Sequence, residues 1–67
     1  MPEVTINGLA RNFETLPTVA ALLQDMDLVG KRLAVERNGE IVPRGRHAET
    51  QLAPGDKLEI VVAVGGG

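Results

Sequence analysis

The last regular segment of the chain, Lys57 to Val64, alternates without a break: Leu58, Ile60, Val62 and Val64 fall on one side, and Lys57, Glu59, Val61 and Ala63 on the other. A period of two is the pattern of a β-strand that lays one face on a core. This is the longest strand signal in the chain, and it follows every other candidate element. So apolar a strand is poorly suited to an exposed sheet edge, so the earlier elements have to be arranged on both sides of it. With 67 residues and no cysteine, the chain has length for one small domain and no disulfide to staple it. Its core alone must hold the fold.

The earlier segments supply the rest of a sheet and one helix. Glu3 to Asn7 alternates, with Val4 and Ile6 on one face, and Asn7-Gly8 suits the positive-φ positions of a type I′ turn. The return strand is expected over Leu9 to Glu14, with Arg11 near an edge and its head in water. Val19, Leu22, Leu23 and Met26 then recur at helical spacing, giving one apolar stripe behind Thr18, an N-cap residue. Asp25 opposes the helix dipole near its far end, Asp27 marks the stop, and Gly30 permits the turn that follows. Alternation returns at Leu33 to Glu36; Asn38-Gly39 gives a second tight turn, and Ile41-Val42 a short answering strand ended by Pro43. Arg44 to Gln51 has no clear period and reads as loop with one irregular turn, and Ala53-Pro54-Gly55-Asp56 reads as a turn.

Two hairpins therefore flank one helix, and a long strand comes last. A helix with one apolar stripe and a sheet with one apolar face bury both by packing together. The final strand goes to the middle of the sheet, beside the first. The expected fold is α+β: a β-grasp, or ubiquitin-like, mixed sheet packed on one main helix, spanning residues 1–64, with residues 65–67 as a separate tail.

Composition narrows the function. The net charge is −2 and Phe13 is the only aromatic residue, so the stacking platforms of single-strand nucleic-acid binders are lacking. The start, Met1-Pro2-Glu3, has neither the basic nor the apolar region of a secretory signal, and the longest apolar runs are Val19 to Leu23 and Ile60 to Val64. Both are far short of the roughly 20 residues that span a bilayer. The expectation is a cytoplasmic protein, monomeric when free, that binds neither nucleic acid nor membrane.

The most unusual feature is the tail. Gly65, Gly66 and Gly67 begin where the strongest strand stops, and glycine costs backbone entropy to order while burying no side chain. Three extended residues carry a terminal carboxylate roughly 10 Å past the sheet, on an arm thin enough for a narrow active site. A carboxylate is ionised at neutral pH and a poor electrophile, with an ordinary pKa of about 3.3–3.7. To donate its acyl group it must be activated, for example as a mixed anhydride with AMP. Nothing in the chain resembles a phosphate-binding loop, so a partner must supply that chemistry and the carboxylate on Gly67 is a substrate.

Other candidates are weaker. Val61, Ala63 and Val64 make the end of the last strand apolar and are the candidates for partner docking, with Val61 and Ala63 on its outward side. Arg44, Arg46 and His47, with Lys31, Arg32 and Arg37, are dispersed among nine carboxylates and read as a solvated surface. His47 has no metal-ligand spacing and no nucleophile beside it in sequence, and Asp25 and Asp27 read as a helix end. No catalytic residue, metal site or bound cofactor is expected, and a small enzyme is the least supported class.

The segment Val35-Glu36-Arg37-Asn38-Gly39-Glu40-Ile41-Val42-Pro43-Arg44, the helix opening Thr18-Val19-Ala20-Ala21-Leu22-Leu23, the turn Pro54-Gly55-Asp56 and the ending Val64-Gly65-Gly66-Gly67 resemble the ThiS family of sulfur carriers in thiamine biosynthesis. The resemblance covers essentially the whole chain. The glycine ending is shared with the molybdopterin-synthase small subunit and ubiquitin-like modifiers, whereas the stretch from Glu36 to Arg44 is more specific. The resemblance implies that Gly67 is adenylated by an E1-like enzyme using ATP and converted to a thiocarboxylate with sulfur originating from cysteine, delivered by a sulfur-donating enzyme. Thiazole synthase then takes the sulfur. Alternatives are a carrier serving molybdopterin or another acceptor, and a β-grasp binding module with a passive tail.

Overall fold

The computed structural model describes residues 1–63. Strand β1 (Glu3–Ile6) and strand β2 (Leu9–Asn12) form the first hairpin; helix α1 (Val19–Asp25) follows; β3 (Leu33–Arg37) and β4 (Glu40–Val42) form the second hairpin. After a 3-10 turn at Arg44–Arg46 comes β5 (Lys57–Val62). The strand order is β2-β1-β5-β3-β4. β5 is parallel to β1 and antiparallel to β3, with Ile6 opposite Leu58 and Leu33 opposite Val62. The last strand is therefore central and lies beside the first, as its apolar alternation requires, and the topology is that of the β-grasp.

Burial follows the two periodicities. Val4, Ile6, Val35, Leu58 and Ile60 from the sheet meet Val19, Leu22 and Leu23 from the helix. Leu52 completes this core at 2% exposure, although it belongs to no helix or strand. It is drawn in because residues 50–52 run along the helix entrance: the Leu52 amide donates to the Pro17 carbonyl, the Val19 amide to Thr50, and Gln51 Nε2 to Leu16. β2 is shorter than its alternation suggests, ending at Asn12. Arg11 lies at that edge, stacked 5.0 Å from the centre of the Phe13 ring and 2.8 Å from Asp25. The aspartate at the helix C-terminus thus has a counter-ion.

The helix ends are set by local chemistry. Thr18 Oγ1 accepts from the Ala21 amide at 3.1 Å, relieving one unpaired donor of the first turn. At the other end the Asp27 amide donates to Gln24 and the Leu28 amide to Leu23, a Schellman closure. It requires a left-handed residue, and Asp27 supplies it at φ 60°. A side chain in that conformation costs about 1–2 kcal/mol that glycine does not incur. Asp27→Gly should accordingly raise the unfolding free energy by about 0.5–1 kcal/mol, read in a urea titration with unchanged slope; a loss of stability would mean that the Asp27 side chain is needed at the cap.

Both Asn-Gly turns have positive φ at each central residue, with Asn7 at 50° and Gly8 at 83°, and Asn38 at 52° and Gly39 at 86°. Their asparagines do more than turn the chain. Asn7 Nδ2 donates to the Ile60 carbonyl and its Oδ1 accepts from the Ile60 amide, so the carboxamide takes the place of the next β1 residue beside β5. On the other side, Asn38 Oδ1 accepts from the Lys57 amide.

Candidate functional site: the distal end of the central strand

The site is built from its support outward. β5 starts at a polar lock: Asp56, 6% exposed, accepts from Arg37 Nε at 2.8 Å, Asn38 Nδ2 at 3.0 Å and the Ala53 amide at 2.8 Å. Burial alone raises the Asp56 carboxyl, but the Ala53 amide, the Asn38 carboxamide and the Arg37 guanidinium outweigh it and hold it below its ordinary value. The tight turn before β5 is thereby tied to the β3–β4 turn. From there β5 is paired with β3 along its length, and the Ala63 amide donates to the Arg32 carbonyl at 2.8 Å. Backbone order thus reaches the residue that precedes Val64.

Side chains at this end sort onto two faces. Leu58 and Ile60 are buried against the helix and Val62 is half-buried, whereas Glu59, Val61 and Ala63 are exposed. Val61 is 64% exposed and lies opposite Ala34, and Ile41, on the same open face, is 62% exposed. Between them Glu36 faces Glu59 directly across the two strands, a like-charge pairing that disfavours the bare sheet. The open face is therefore aliphatic and acidic, and it continues to the point where the tail begins. Val61 and Ala63 are on it; Val64, Gly65, Gly66 and Gly67 lie outside the described residues.

The remaining candidates have structural surroundings. His47 Nε2 donates to the Val42 carbonyl at 3.2 Å, bracing the 3-10 turn against β4. Among the described residues no group of His, Asp and Glu is placed to hold a metal ion, and no helix is long and apolar enough to cross a membrane. The Asp56 lock is not apparent from the sequence, where Ala53-Pro54-Gly55-Asp56 reads as a turn and no more. An Asp that ends a Pro-Gly turn directly before the central strand is the one signal that points to it.

The match to known proteins decides the family. The ThiS family model matches residues 4–67. The chain belongs to the ThiS family. It is 44% identical over 50 residues to the sulfur carrier protein ThiS of Bacillus subtilis, covering 75% of this chain and 76% of that protein. A crystal structure of the thiamine biosynthesis protein ThiS from Geobacter metallireducens superposes with a TM-score of 0.81 at 28% identity, covering 97% of this chain and 99% of that one. The chain is also 48% identical over 65 residues to a thiazole synthase of Paramagnetospirillum magneticum and 34% identical over 65 residues to one of Magnetococcus marinus. Those matches take in 97% of this chain and 20% of each thiazole synthase, so the chain spans about a fifth of their length.

Proposed function

We propose that this ThiS family member is a sulfur carrier of thiamine biosynthesis and that its reacting group is the carboxylate of Gly67. The observation that carries the reading is the family match running through residue 67, where the sequence passes from the central strand straight into three glycines. A carboxylate oxygen attacks the α-phosphorus of ATP on an E1-like enzyme and expels pyrophosphate. A persulfide held by a sulfur-donating enzyme then attacks the acyl carbon and displaces AMP, forming an acyl disulfide. A second thiol of that enzyme cleaves its S–S bond, leaving a disulfide on the donor and releasing the thiocarboxylate. That group delivers its sulfur to thiazole synthase, and the two relatives of that name, each with a segment like this chain, support this recipient. The domain itself is a co-substrate that holds the arm and offers a recognisable face. Dependence on ATP fits a cytoplasmic protein.

Val61 and Ala63, with Val64 following, form the docking surface in this reading. The E1-like enzyme, supplied with ATP and radiolabelled pyrophosphate, should exchange label into ATP only when the chain is present. Val61→Glu places a third carboxylate beside Glu36 and Glu59 on an exposed position. It should raise the carrier concentration needed for half-maximal exchange by about tenfold with the fold retained, as read by circular dichroism. Exchange that ignores the carrier overturns the adenylation step, and an unaltered requirement for Val61→Glu removes the open face from recognition.

A further inference from the structure

Lys31, Arg44 and His47 are separated in sequence, yet the fold gathers them around one groove. Its volume is about 270 Å³, and Leu23, Leu28 and Leu33 form its apolar floor. Val29 stands at the mouth, 67% exposed. None of the chain's nine carboxylates lines it, and among the described residues neither Lys31 nor Arg44 is in an ion pair. This is the reverse of the acidic open face. The groove also adjoins the root of the tail, since Leu33 in its floor pairs with Val62 and the Ala63 amide bonds to Arg32.

Small-molecule pockets run from about 300 to 1,000 Å³, so this groove has room for an apolar side chain or two and not for a nucleotide. Unpaired cations at the rim of an apolar floor complement a carboxylate next to an aliphatic residue, where charge-assisted hydrogen bonds set register and the apolar anchor gives affinity. We infer that the groove docks an acidic, leucine-bearing segment of thiazole synthase, with the leucine on Leu23, Leu28 and Leu33 and the acidic side chain between Lys31 and Arg44. This rests on the sulfur-carrier reading. The occupant is chosen because two thiazole synthases contain a segment like this chain within one polypeptide, which holds carrier and recipient side by side. A recipient that took the tail would then grip both faces of its root.

The test is the affinity of the full chain for thiazole synthase, measured by calorimetry at two salt concentrations. The double variant Lys31→Glu/Arg44→Glu should bind at least about tenfold more weakly and lose most of the salt dependence. Val29→Asp should weaken binding comparably by setting a carboxylate at the mouth. All three positions are exposed, and a melt verifies the fold; Lys31→Gln/Arg44→Gln serves if charge reversal lowers it. Binding within about twofold of wild type for either the charge variant or Val29→Asp overturns the proposal, because both anchor and ion pair are required. Absence of binding by the wild type is a different result: it removes thiazole synthase as recipient, and the groove assignment with it.

Discussion

Deleting Gly67 should abolish sulfur transfer while changing the unfolding free energy by less than about 0.5 kcal/mol. The two halves have separate physical origins. Among the described residues every buried apolar side chain lies at or before Ile60, and the last described backbone bond of the sheet is made by Ala63; a glycine has no side chain to add to the core. The shortened chain still ends in a glycine carboxylate, so its intrinsic reactivity is unchanged. What changes is reach: one residue withdraws the carboxylate by about 3.5 Å, and a misplacement of about 1 Å can already cost 10²-fold in rate. Intact mass after incubation with the E1-like enzyme, ATP and the sulfur-donating enzyme, and circular dichroism melts on the same preparation, check both. Normal transfer by the shortened chain would mean that the position of the terminus is not read, and a large drop in the melt would mean that the tail is packed.

The largest stability effect should come from the opposite end of β5. Asp56→Ala leaves the Arg37 guanidinium, the Asn38 carboxamide and the Ala53 amide without their shared acceptor. Removing one partner of a buried, hydrogen-bonded charge costs about 3–5 kcal/mol, and because Arg37 keeps 33% of its side chain exposed the expected loss is smaller, about 2–3 kcal/mol. A core in a chain of this size rarely supplies more than about 3–5 kcal/mol, so much of the domain's stability goes with it. The pH dependence has a definite sign. Asp56 has its folded-state pKa lowered from 3.8, so the unfolded chain binds the proton more readily. The stabilisation is present above pH 3.8 and is lost as the pH falls through that value towards the folded-state pKa. Asp56→Asn should flatten that part of the curve measured by urea unfolding between neutral and acidic pH. An acid limb as steep as that of the wild type would assign the dependence to other carboxylates.

How much of this is legible beforehand depends on the range over which each residue acts. Alternation places Leu58 and Ile60 inside and Val61 outside without reference to any other segment, and the late apolar strand forces the central position that β5 occupies. Thr18 and both Asn-Gly turns are local signals and appear where their chemistry puts them. The two asparagine carboxamides that flank β5 are long-range, and nothing in an Asn-Gly dipeptide says that its side chain will bond to a strand 53 residues away. Leu52 is similar: it lacks a period because it belongs to no regular element, and it is buried because residues 50–52 are held against the helix entrance. The basic side chains mislead in the other direction. Lys31, Arg44 and His47 are scattered along an acidic chain, so charge counting reads them as solvated, while the β3–β4 hairpin brings them to one groove. For the candidate site, the glycine ending is explicit in the sequence and the open face follows from the period of two. The Asp56 lock depends on tertiary pairing, and its place at the end of the Pro-Gly turn before the central strand is its only trace in the sequence.

In the proposed function a single carboxylate, on Gly67, carries the chemistry of the chain. Intact-mass spectrometry tests it most directly, on chain incubated with the E1-like enzyme, ATP and a sulfur-donating enzyme. The expected result is a gain equal to exchanging one oxygen for sulfur, confined by fragmentation to Gly67 and absent when ATP is withheld. An unchanged mass under conditions that modify the Bacillus subtilis carrier, or a sulfur located on any other residue, would contradict it.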